Sequence, residues 1–189
     1  MAQPAALPTP TPASLQEAAV NYLARFAATE AGLRAVLNRR IDRWARSAAA
    51  DDLPEQVSAL KQAARLVSAR MVELGLINDA AFAEQRAAGL TRTGRSRRAV
   101  AARLTAKGVD PDLAQAAIPD DPDTELAAAL ILARKRRIGP FRRSEAPDQA
   151  ARMKEMGVLA RAGFPQPIAR QALAMEPEEA ETRIAAFRQ

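Results

Sequence analysis

LTAKGVDPDL, residues 104–113, returns fifty-five positions later as LARAGFPQPI, residues 159–168. The register holds without a gap from Leu104 to Ile118 and from Leu159 to Leu173. Matched positions share physical jobs: a helix leucine (Leu104, Leu159), a terminating glycine (Gly108, Gly163), a proline near the next helix start, and an inward aliphatic (Leu113, Ile168). A glycine in that place ends a helix because it enters the left-handed region at little cost. The match predicts a tandem array of small helical units. A weaker third copy lies upstream, where Leu33 and Leu37 repeat the spacing of Val100 and Leu104, and Thr29 stands where Ser96 caps.

Working outward, the first amphipathic segment spans Ser14 to Ala27, with Ser14 as N-cap, Glu17 completing a capping box, and Val20, Leu23 and Ala24 or Ala27 as its stripe. A second helix starts at Thr29 and buries Leu33, Val36, Leu37 and Ile41, with Trp44 closing the face. After Asp51-Asp52, Pro54 opens a third helix to about Leu74, with Val57, Leu60, Ala64, Val67 and Met71 inward and Gly75 ending it. Asn78 or Asp79 caps the next, which turns Phe82 and Ala83 inward. Ser96 caps the helix of Val100 and Leu104, and Pro111-Asp112 open one carrying Leu113, Ala117 and Ile118. Beyond PDDPD (119–123), Leu126, Leu130 and Ile131 mark a helix stopped by Gly139-Pro140. A polar link with Pro147 leads to a helix of Met153, Met156 or Gly157, and Leu159, and then to one holding Ile168 and Leu173.

Composition agrees. Ala and Leu dominate, only 4% of the residues are aromatic, and there are eight glycines in 189 positions, so strands are not expected. The formal charge of +6, with a pI near 10.6, suits a polyanion or an acidic protein surface. There is no Cys and no His, which removes thiol chemistry and the commonest general base and metal ligand. An enzyme, a cofactor and a metal are therefore not expected. Nor is a transmembrane helix, since no apolar run of about 18 residues exists. MAQPAALPTPTPA, residues 1–13, lacks the features of a signal peptide and reads as a disordered Pro-rich arm, so a cytoplasmic location is expected.

Two basic clusters stand out. One holds Arg92, Arg95, Arg97, Arg98, Arg103 and Lys107; the other holds Arg134, Lys135, Arg136, Arg137, Arg142 and Arg143. Either alone reads as a solvated helix face, but recurrence in successive units favours a binding surface for phosphates or acidic side chains. No aromatic interleaves the first, and Phe141 in the second reads as core, so base stacking on these clusters is not expected. Asp110, Asp112, Asp120, Asp121, Asp123 and Glu125 read as helix caps and solvated linker, with Asp112 and Asp123 in the capping roles. Tyr22 and Trp44 read as core or its edge.

Three stretches resemble the RecX family, bacterial regulators of the RecA recombinase. They are AAVNYLARFAATEAGLRAVLNRR (18–40), the run from Leu66 to Ile118 with its aliphatic-Gly-aliphatic turn, Phe-Ala, basic link and Leu-x-x-Lys-Gly, and the run from Glu125 to Leu173 containing KRRIGP. The chain departs from the family pattern at Asn78, Ser96 and Ala99, where an Asp, a second Gly and an Arg are usual. The resemblance implies an all-α fold of three tandem three-helix repeats, forming an elongated, curved, solenoid-like array. The residues place these at 14–76, 77–119 and 123–175, with a tail at 176–189. It also implies a non-enzymatic regulator that binds RecA and its filament on single-stranded DNA. Such a regulator limits filament growth, ATP hydrolysis, strand exchange and co-protease activity, in DNA repair and the SOS response. A monomer is expected, with weak direct DNA binding. The competing reading is a helix-turn-helix DNA-binding protein inserting residues 96–107 into the major groove.

Overall fold

The computed structural model describes residues 7–48, 52–143 and 148–188. All regular structure among them is helical: α1 (Pro12–Leu23), α2 (Glu30–Ala45), α3 (Leu53–Glu73), α4 (Asp79–Arg92), α5 (Arg97–Thr105), α6 (Pro111–Ala116), α7 (Pro122–Arg136), α8 (Gln149–Arg161), α9 (Gln166–Ala174) and α10 (Pro177–Arg188), with a 3-10 turn at Gly139–Phe141. Nine of these follow one another as three sets of three, and α10 comes last. The chain packs into two compact units. Lys107–Val109 belong with the chain up to Phe82, and Ala83–Ala106 belong with the chain from Asp110 onward.

In the first unit, α1 and α2 pack on α3 around Leu33, Leu37, Ile41, Trp44, Leu60 and Met71, as the helical spacing predicts. The first helix differs from expectation. It starts at Pro12, Thr11 is the N-cap, and Ser14 is the reciprocal partner of the capping box. Its buried residues are Leu15 and Ala19, while Val20 is 45% exposed. Capped three residues earlier, the helix presents the i, i+4 pair Leu15–Ala19 to α3. Residues 1–6 of the expected arm lie outside the described residues, and Pro10 is buried.

In the second unit, α7 is the central helix. Residues 125–131 and Ala133 are all buried, so it is covered on nearly every side. α8, α9 and α10 close around it through Leu159, Phe164, Ala169, Ala172, Ala180 and Ile184. Met153, expected inward, is 72% exposed; Leu159 is the buried residue of α8. α7 ends before Gly139: Arg137 takes the left-handed backbone (φ 56°), and its N–H and that of Ile138 close the last turn. Pro147 lies outside the described residues. The caps of α6 and α7 are Asp110 and Asp121 rather than Asp112 and Asp123. Each cap precedes a proline at the first helical position, which needs no N–H partner.

One connection occurs twice. In the first unit Thr29 caps α2, accepting from the Gly32 N–H (2.9 Å), and its hydroxyl also donates to the Lys107 carbonyl (2.6 Å). Asp79 accepts from the neighbouring Glu30 N–H at 3.0 Å. In the second unit Ser96 caps α5, accepting from the Ala99 N–H (3.2 Å) and donating to the Ala162 carbonyl (2.7 Å). Glu125 there accepts from the Arg97 N–H at 2.9 Å. Lys107 and Ala162 are counterparts in the sequence repeat, each immediately before its glycine. Gly108 and Gly163 have φ of 85° and 91°. A Cβ at Gly108 collides with the Ala31 Cβ, and one at Gly163 lies 2.7 Å from the Ser96 hydroxyl. Glycine is thus demanded both by backbone and by close approach.

Candidate partner-binding surface

The basic residues singled out in the sequence take different roles. Arg97 pairs with Asp120. Arg134 pairs with Glu181 at 2.8 Å. Arg142 makes a two-pronged contact with Glu155, Nε to Oε1 at 3.1 Å and a terminal nitrogen to Oε2 at 2.5 Å. That pair is largely buried and also receives the Gly139 N–H, so it anchors the turn after α7. Lys135 donates to the Thr93 carbonyl at 2.7 Å, tying α7 to the end of α4. Arg92, Arg95, Arg98, Arg103, Arg136 and Arg137 are exposed and make no ion pair among the described residues; Arg143 is exposed too. Lys107 is exposed but belongs to the first unit.

Two clefts in the second unit sort these charges. One, of about 630 Å³, brings Arg95 of the α4–α5 link together with Lys135 and Arg136 of α7 and Arg161 of α8, floored by Gly94 and Leu132. Four cations and no carboxylate line it. The other, of about 730 Å³, sets Arg97 and Arg98 against Asp120, Asp121 and Glu125, beside Phe164 and Ile168. Its cations are balanced by acids, so an anion gains little there. The first is the anion-attracting cleft. It joins the two basic clusters at Arg95 and at Lys135-Arg136, a convergence that no local pattern announces. Arg161 was missed because it stands alone between Ala160 and Ala162; its only signal was its place at the end of a predicted helix.

Three carboxyl groups are perturbed for structural reasons. Burial pushes the Asp79 carboxyl above its ordinary range; the Glu30 N–H pulls it down and the Glu30 carboxylate pushes it further up. Burial likewise raises Glu125, against the Arg97 N–H and guanidinium, which lower it. Glu125, read from the sequence as linker, is only 5% exposed and belongs to the joint. Asp121 is shifted down, chiefly by the Thr124 hydroxyl bond at 2.6 Å, as suits an ionised cap. Each is committed to a helix start, and no cluster of three potential metal ligands occurs among the described residues. No helix among them is long and apolar enough to cross a membrane.

Residues 78–118, which hold α4 to α6, match the family model for the second three-helix domain of RecX. A regulatory protein RecX of Myxococcus xanthus is 38% identical over 169 residues, covering 88% of both chains. The chain belongs to the RecX family. A second relative, from Agrobacterium fabrum, is 39% identical over 153 residues, covering 81% of this chain and 78% of its own. The crystal structure of RecX from Lactobacillus salivarius superposes with a TM-score of 0.59 at 20% identity, covering 90% of this chain and 97% of that one, which establishes the shared helical fold. The array of three-helix repeats read from the sequence is thus the RecX helical-repeat architecture.

Proposed function

We propose that this RecX-family chain is a regulator that binds the RecA recombinase and its nucleoprotein filament on single-stranded DNA. It restrains filament growth and with it ATP hydrolysis, strand exchange and co-protease activity, in the cytoplasm and without an enzymatic step of its own. The observation that carries the reading is the cleft of Arg95, Lys135, Arg136 and Arg161. A filament presents acidic side chains and DNA phosphates together, and a concave surface lined by cations without acids suits such a partner. Arg92, Arg98, Arg103, Arg137 and Arg143 extend the positive surface, whereas Arg97, Arg134 and Arg142 serve the unit's internal pairs. As a helix-turn-helix reader, α5 is poorly furnished: its exposed residues include Arg98, Ala102 and Arg103, and no Asn or Gln lies on it to read adenine.

The test titrates the protein into RecA-coated single-stranded DNA while ATP hydrolysis is followed. Wild type inhibits at micromolar concentration or below. The Arg95→Ala/Arg136→Ala variant needs about ten-fold more protein for half-inhibition, the loss of about 1.4 kcal/mol expected for two exposed charge contacts. Its circular dichroism and Tm are unchanged. Absence of inhibition by wild type, with tight sequence-dependent duplex binding instead, overturns the proposal.

A further inference from the structure

The first unit carries a second positive cleft, outside both basic clusters of the sequence. It lies between the end of α1 and the middle of α2 and has a volume of about 480 Å³. Arg25, from just after α1, and Arg39, Arg40 and Arg43, from α2, line it; all four are exposed and none makes an ion pair among the described residues. No carboxylate lines the cleft. Its wall holds what the second unit's cleft lacks: Tyr22 and Phe26 pack with ring centroids 5.2 Å apart, tilted by 39°, and Phe26 is 55% exposed.

Arginines alone would suit any anion. An exposed phenylalanine, braced by a tyrosine and ringed by guanidinium groups, adds a flat apolar face. A ligand satisfying both carries regularly spaced negative charge and planar rings with free faces. Nucleic acid has both, and only a single strand can turn an unpaired base onto the ring while its phosphates meet the arginines. A duplex keeps its bases stacked and offers phosphates only. We infer that the α1–α2 cleft binds a short segment of single-stranded nucleic acid, with one base stacked on Phe26 and flanking phosphates held by Arg25, Arg39, Arg40 and Arg43. The site is independent of the recombinase reading and is tested without any recombinase.

The experiment follows fluorescence anisotropy of a labelled oligothymidine and of a duplex of equal length, with the full chain as titrant. Wild type binds the single strand more tightly than the duplex. Phe26→Ala weakens single-strand binding about ten-fold and leaves duplex binding alone. Phe26→Trp retains affinity, and its indole is quenched by the oligomer; the native Trp44 is only 4% exposed and is shielded from the oligomer, so its emission stays constant. Arg39→Ala/Arg40→Ala flattens the salt dependence of single-strand binding by about 1.4 in log–log slope. Because Phe26 and both arginines are exposed, circular dichroism and Tm stay at wild-type values in each variant. Equal affinity of wild type and Phe26→Ala for the oligomer overturns the inference. So does oligomer binding that disappears in Arg95→Ala/Arg136→Ala but persists in Phe26→Ala, which puts the strand on the second unit. Phe26-dependent binding of polyglutamate at the expense of the oligomer overturns it in favour of an acidic protein ligand.

Discussion

The joint in the first unit and the joint in the second are built from the same parts, with one charge reversed. In both, a hydroxyl caps a helix and donates to the carbonyl before a left-handed glycine, while a carboxylate, half-buried in Asp79 and buried in Glu125, takes the next N–H. The residue after the cap is Glu30 in the first and Arg97 in the second. Glu30 repels Asp79, and Arg97 attracts Glu125. The shared parts therefore hold the architecture, whereas the residue after the cap is free to vary in sign. In the second unit that freedom admits an arginine, on the edge of the basic surface, that also pairs with Asp120.

The glycines test the shared part most severely. Gly108→Ala should lower stability by about 3 kcal/mol, since a left-handed alanine costs 1–2 kcal/mol and its methyl must displace Ala31. Gly163→Ala meets a single hydroxyl oxygen and should cost about 2 kcal/mol. Urea unfolding measures both, and equal losses would show that backbone strain alone, not the close approach, sets the requirement. The hydroxyls come next. Thr29→Val and Ser96→Ala each leave a helix N–H and a carbonyl without their partner at nearly inaccessible positions, costing about 1–2 kcal/mol. A loss below 0.5 kcal/mol for either, smaller than the cost of an ordinary cap, would break the equivalence of the joints.

The reversed charge gives the smallest effect and the sharpest contrast. Both carboxyls are raised in the fold, so the folded state holds their protons more tightly than the unfolded chain. Their contribution is fully present below the unfolded pKa and is lost as pH rises through the folded value. At neutral pH each ionised group therefore sits at a disadvantage, greater where Glu30 adds repulsion. Asp79→Asn, which keeps an acceptor for the Glu30 N–H, should leave stability at pH 7 unchanged or raise it by up to about 1 kcal/mol. Glu125→Gln, where attraction to Arg97 already offsets part of the burial cost, should leave it unchanged or raise it by less than Asp79→Asn does. In both variants the stability gained on acidification toward pH 4 should shrink. Measuring Tm from pH 4 to 7 checks the sign, and identical responses would show that the residue after the cap exerts no influence.

Much of this was legible. Thr29 and Ser96 announce themselves as caps, and the glycines as terminators, because those preferences act over three or four residues. Their second partners are not legible: Lys107 is 78 positions from Thr29, and its carbonyl leaves no trace in side-chain chemistry. Glu125 reads as linker because five aspartates precede it between positions 110 and 123; its burial follows from α7 being enclosed, which only tertiary packing decides. The α1 stripe was misplaced because two apolar sets, Leu15–Ala19 and Val20–Leu23, both sit at helical spacing and the larger residues lie in the second. The Asp-Pro pairs at 110–111 and 121–122 did carry the correct cap positions. For the surface, runs of arginine pointed to the second unit, while the α1–α2 cleft escaped notice because Arg25 lies fourteen positions before Arg39, Arg40 and Arg43 and only the fold brings them together.

The helix α5 runs only from Arg97 to Thr105. Nine residues are too few for a helix to persist alone in water. This one is held at its start through Ser96, whose hydroxyl accepts from the Ala99 N–H and donates to the Ala162 carbonyl. Loosening that attachment lets it fray from its N-terminal side, so its amide protons should exchange at a rate set by that joint. Hydrogen exchange along α5 is thus a gauge of the second unit's joint, read from one short peptide.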